Sequence, residues 1–81
     1  MSKTEILEAI SYNEEKITKI KSDIKKLEKA HTLLTEVGVN TDRVDAAEND
    51  LREMLKMHIE YLAKRKKALK LLAKLEELEQ E

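Results

Sequence analysis

Glu36-Val37-Gly38-Val39-Asn40-Thr41-Asp42 is the stretch that decides how this chain folds. Gly38 is the only glycine in 81 residues. A glycine can take the left-handed backbone conformation that closes a helix C-terminus at little steric cost. Asn40, two residues on, is of a type that caps a following helix, and Val39 and Val44 flank that cap at hydrophobic-staple spacing. Asp42 and Asp45 put negative charge into a first turn, where the helix dipole favours it. The stretch therefore predicts one turn, at about residues 38–40, between two helices.

Upstream of it, Ile6, Ile10, Ile17, Ile20, Ile24, Leu27 and Leu34 recur in steps of three and four and form one stripe of a helix, with Asn13 and His31 filling the gaps. Ser2-Lys3-Thr4-Glu5 matches a capping box, so helix 1 is expected over about 3–37. Downstream, Val44, Leu51, Leu55, His58, Leu62, Arg65, Leu69 and Leu72 repeat the pattern, continued by Leu75 and Leu78. Helix 2 is expected over about 41–79. Each helix then measures roughly 50 Å, and so short a linker makes the two antiparallel neighbours in a single-domain, all-α hairpin.

A register follows from pairing seam positions whose numbers sum to 78 or 79. It sets Leu34 by Val44, Leu27 by Leu51, Ile24 by Leu55, Ile17 by Leu62, Ile10 by Leu69 and Ile6 by Leu72. The same register sets His31 against Glu48, Asn13 against Arg65, Ile20 against His58 and Lys3 against Glu76. Polar residues in an apolar seam cost stability and fix register or oligomer state, and Asn13, His31, Glu48, His58 and Arg65 are assigned that role.

Helix 2 carries more apolar surface than one neighbour can cover. Flanking its seam are Ala47, Met54, Tyr61, Ala68 and Leu75, whereas the flanks of helix 1 mix in Glu14, Lys16, Lys21, Asp23 and Glu28. A second contact on helix 2 is expected at Met54, Met57, Tyr61, Ala68, Leu71 and Leu75, either with another copy, giving a homodimeric four-helix bundle, or with a helix of a different protein.

Composition agrees. Ala, Glu, Lys, Leu and Arg make up 48 of 81 residues, proline is absent, and the net charge is −1. A core this small rarely supplies more than about 3–5 kcal/mol unaided. Without cysteine, neither disulfides nor thiolate metal sites can support it, which leaves association. No signal-peptide pattern and no run of ~20 apolar residues occurs, so a cytoplasmic protein without a membrane partner is expected.

The chemical readings are thin. His31 and His58 lie roughly 15 Å apart in the proposed register, and Glu28-Lys29-Ala30-His31 is a single copy of a spacing that di-iron bundles need twice. Ser2, Ser11 and Ser22 fall on capping or outer positions, and among inward residues only Arg65 could hold an anionic substrate. No enzymatic activity, metal, cofactor or small-molecule substrate is expected. Between Tyr61 and Leu75 stand six basic and no acidic residues. Lys64, Lys67, Lys70 and Lys74 are therefore candidate phosphate contacts, and helix 1 adds Lys19, Lys25, Lys26 and Lys29. No helix-turn-helix pattern or aromatic platform accompanies them, and Glu76, Glu77, Glu79 and Glu81 follow at once. The expected function is a small protein-binding module, an adaptor, inhibitor or co-chaperone acting through helix 2. A nucleic-acid-associated regulator is the alternative.

Overall fold

The computed structural model describes residues 2–80, with Met1 and Glu81 outside the described residues. Two α-helices account for nearly all of it: α1, Lys3–Glu36, and α2, Asp42–Gln80. They pack side by side in a rod 68 Å long and 14 Å across. The cross-helix hydrogen bonds join residues near the turn to each other and residues far from it to each other, so the helices are antiparallel.

Local chemistry sets the ends. The Ser2 side chain accepts from the Glu5 backbone N–H at 3.2 Å, which starts α1. At its other end, Gly38 N–H donates to Thr35 O at 3.1 Å and Val39 N–H to Leu34 O at 2.9 Å, the paired bonds of a Schellman C-cap. Gly38 has φ +74°, the left-handed conformation that motif requires. Nothing stands within 4 Å of where a Cβ would project, so the conformation alone disfavours a side chain here. Gly38→Ala is accordingly expected to cost about 1 kcal/mol, read as a lower urea midpoint at unchanged slope.

The start of α2 differs in detail from expectation. Thr41 O accepts the first helical bond, from Asp45 N–H at 2.9 Å, so Thr41 is the capping residue. Asn40 stands one position earlier and accepts from Asp42 N–H at 2.7 Å. That is an Asx turn, which leads the chain into the helix.

The buried side chains all belong to α1: Ile6, Ile10, Ile20, Ile24 and Asn13. On α2 the seam positions Val44, Glu48, Leu51, Leu55, His58, Leu62, Arg65, Leu69 and Leu72 are half-buried, and no residue is fully buried. α1 thus lies with one narrow stripe pressed into a broader surface of α2. Leu75 and Leu78 extend the seven-residue pattern but are exposed, at 55% and 66%.

The register differs from the expected one. If Asn13 and Arg65 stood level, His58 would lie seven residues, or about 10 Å, further along the rod. Asparagine and histidine are too short to cover that offset and the ~8–10 Å between helix axes. Yet the Asn13 amide sits 3.0 Å from His58 Nδ1. His31 Nδ1 likewise meets Asp45 Oδ1 at 2.8 Å rather than Glu48. Short side chains therefore place α2 about one helical turn away from the pairing read from the seam. Neither Ile20 with His58 nor His31 with Glu48 is the observed partnership. Arg65 still donates to Asn13, because its long side chain spans the shift.

Glu48 is held along its own helix by Arg52 at 3.2 Å, while Arg52 reaches Glu28 across the groove at 2.9 Å. Asp45, steadied by the Thr41 hydroxyl at 2.9 Å, is left to take His31.

Candidate functional site

α2 presents a second stripe beside the one that faces α1. Ala47, Met54, Met57, Tyr61, Ala68, Leu71, Leu75 and Leu78 follow one another at heptad spacing, and every one of them is exposed. At 100° per residue this stripe is centred about 100° around the helix from the α1-facing seam. One neighbour cannot cover both. Met54, Met57 and Tyr61, near the middle, are 44%, 48% and 45% exposed.

α1 contributes to the same side of the rod. The Tyr12 ring lies 6.1 Å from the His58 ring, and Tyr61 meets His58 edge-on at 6.5 Å. Lys16 Nζ stands 5.6 Å above Tyr12, and the Arg65 guanidinium 5.8 Å above Tyr61. Two tyrosines and two cations therefore gather around one histidine. Tyr12 was not among the residues expected at this surface. It stands directly before Asn13, on a flank of the α1 seam otherwise held by charged residues such as Lys16 and Asp23, and the observed helix pairing places it against His58.

Beneath this cluster lies Asn13, with no exposed surface. Arginine offers only donors, so the Asn13 oxygen must face Arg65 and the amide nitrogen must face His58. His58 then accepts through Nδ1. Both polar ends of the asparagine are used, and among the described residues no buried side-chain nitrogen or oxygen lacks a partner. Of the five polar seam residues, the structure joins Asn13, His58 and Arg65 in one network, places His31 with Asp45, and leaves Glu48 to Arg52.

The lysines divide differently. Lys64, Lys67, Lys70 and Lys74 are all exposed. Among the described residues none of them forms an ion pair within the chain. The lysines of α1 do not extend them: with the observed register, Lys19 to Lys29 lie level with the first half of α2, about 12 Å or more along the rod from Lys64. Lys26 approaches Asp23 at 4.0 Å.

Searches against models of known families, curated proteins and solved structures give no match. Three open depressions lie along the outer face of α1, lined by residues such as Glu14, Lys19, Asp23 and Lys26. Among the described residues no three histidine, aspartate or glutamate side chains come together as metal ligands would. No described helix is long and apolar enough to cross a membrane.

Proposed function

We propose that this chain is a protein-binding module, an adaptor, inhibitor or co-chaperone without enzymatic activity, whose recognition surface is the second stripe of α2. The observation that carries the reading is the heptad spacing of exposed Met54, Met57, Tyr61, Ala68, Leu71 and Leu75 on a helix that already packs against α1 through a different seam. Scattered surface leucines are ordinary, but an uncovered stripe at coiled-coil spacing is the form of a helix-binding groove. The total surface supports it. The chain exposes 6539 Å², against roughly 5,000 Å² for a compact monomer of this mass.

A second copy is the economical occupant, since symmetric dimers dominate soluble assemblies and two hairpins make a four-helix bundle. Met57→Glu tests the reading, because it places a charge in the middle of the stripe and leaves the α1-facing seam alone. The variant is expected to keep its helicity by circular dichroism while its self-association, followed by sedimentation equilibrium, weakens at least tenfold. Unchanged association would remove the stripe as the binding face.

Exposed Lys64, Lys67, Lys70 and Lys74, which form no ion pair among the described residues, support a second reading, contact with nucleic-acid phosphates. Phosphate binding of that kind would collapse between low and moderate salt, while apolar helix association changes little.

A further inference from the structure

The edge of the α2 stripe that lies away from α1 is divided by charge. Glu53, Glu60, Lys67 and Lys74 follow one another along it every seven residues, acidic toward the turn and basic toward the free end. All four are exposed, and among the described residues none forms an ion pair within the chain. Inside the stripe Asp50 and Lys64 repeat the same division. The chain's own helix pair shows how antiparallel stripes meet here. Asn13 reaches both His58 and Arg65, so it stands between two like positions of α2, level with the alternate layer.

We propose that two copies pair antiparallel through α2 in that alternate-layer geometry, about a two-fold axis level with the Leu62–Ala63 peptide, so that Glu53 and Glu60 of each copy meet Lys74 and Lys67 of the other. This rests on the reading of α2 as the self-associating face and adds its direction and register. With alternate layers opposed, Met54 falls opposite Leu71 of the second copy, Met57 opposite Ala68 and Tyr61 opposite Lys64. Flanking residues on one edge then meet residues of the same edge across the pair, where charge sets partner and orientation. Glu53 comes beside Lys74 and Glu60 beside Lys67, each twice by symmetry. Sliding the pair by one layer breaks the match, because Glu60 would meet Glu60 in one direction and Lys67 would meet Lys67 in the other. A parallel pair would set Asp50 against Asp50 and Lys64 against Lys64.

The charges inside the stripe agree with a register chosen from its edge. Asp50 falls beside Lys74 of the second copy and Lys64 beside Glu60, so each has an opposite charge within reach. Lys64 also lays its hydrocarbon stem across the Tyr61 ring opposite it, with its ammonium toward the edge. Every acidic group on this face of α2 thereby gains a basic neighbour that it lacks within one chain.

Charge reversal tests the register. Lys67→Glu with Lys74→Glu sets acid against acid and should weaken self-association at least tenfold by sedimentation equilibrium. Adding Glu53→Lys and Glu60→Lys places opposite charges together again and should recover the parent's affinity. Lys56→Glu with Lys70→Glu makes the same change in net charge on the outer face of α2 and should alter association by less than about twofold. Direction is read separately. The chain has no cysteine, so spin labels can be attached singly at Ala63→Cys or Glu77→Cys, both on that outer face. The two labels at position 63 should stand nearly level, and the two at position 77 about 44 Å apart along the pair. Equal inter-label distances at the two sites, as a parallel pair gives, overturn this arrangement while leaving α2 as the binding face. So does a fourfold reversal that fails to restore association, or an outer-face control that weakens it as much. A protein that stays monomeric by light scattering at all concentrations overturns the arrangement and the self-association reading together.

Discussion

Asn13→Leu is expected to destabilise the hairpin by about 2 kcal/mol although it replaces a buried polar residue with an apolar one of similar size. Asn13 has no exposed surface and satisfies two side chains at once, accepting from Arg65 and donating to His58. Leucine would leave both without a partner in a seam that water does not readily enter. Breaking a fully buried charged pair costs ~3–5 kcal/mol. Arg65 and His58 are only half-buried and can turn partly to solvent, which brings the estimate to the lower figure. The triple change Asn13→Leu, His58→Leu, Arg65→Met removes Asn13 together with both of its partners, and should recover or exceed the original stability. Urea titrations of the two variants check this, and a single Asn13→Leu more stable than the parent would show that the network does not hold the hairpin.

Ile20→Ala is expected to cost more, about 3 kcal/mol. Ile20 is 4% exposed and, among the described residues, one of four buried apolar side chains, all on α1. The rod is thin, so its neighbours can collapse only partly into the space left behind. A domain of this size holds about 3–5 kcal/mol in all, so the variant should lose most of its helical circular dichroism at concentrations where the parent is folded. Ile59→Ala is the matched control. It removes the same atoms from a residue 47% exposed, on the side of α2 away from the stripe, and its effect should stay within about 0.5 kcal/mol.

Which residues face which helix was legible because a three-four pattern leaves little freedom. Ile6, Ile10, Ile20 and Ile24 are buried, and Val44 through Leu72 half-buried, at the positions the spacing picks out. The left-handed Gly38 was legible for a similar reason, as the only residue in the chain without a Cβ to clash. The register was not, because a heptad pattern is nearly unchanged by a shift of one layer. Apolar pairings such as Ile10 with Leu69 look as good one turn away, so they do not choose among layers. The deciding contacts are short polar ones, Asn13 with His58 and His31 with Asp45, and the sequence shows neither which polar residue reaches which nor that Arg52 occupies Glu48. The width of the α2 face could be read from Met54, Tyr61 and Leu75. That Tyr12 of α1 borders it could not, since its position depends on that same register.

Binding of a second helix to the uncovered stripe of α2, in the first instance one from another copy, is tested by the molar mass in solution, measured by light scattering through a dilution series with helicity followed in parallel by circular dichroism. The expected result is a mass near twice 9.4 kDa that falls on dilution, with helicity falling alongside it. A fully helical protein that keeps the mass of one chain at every concentration would contradict it.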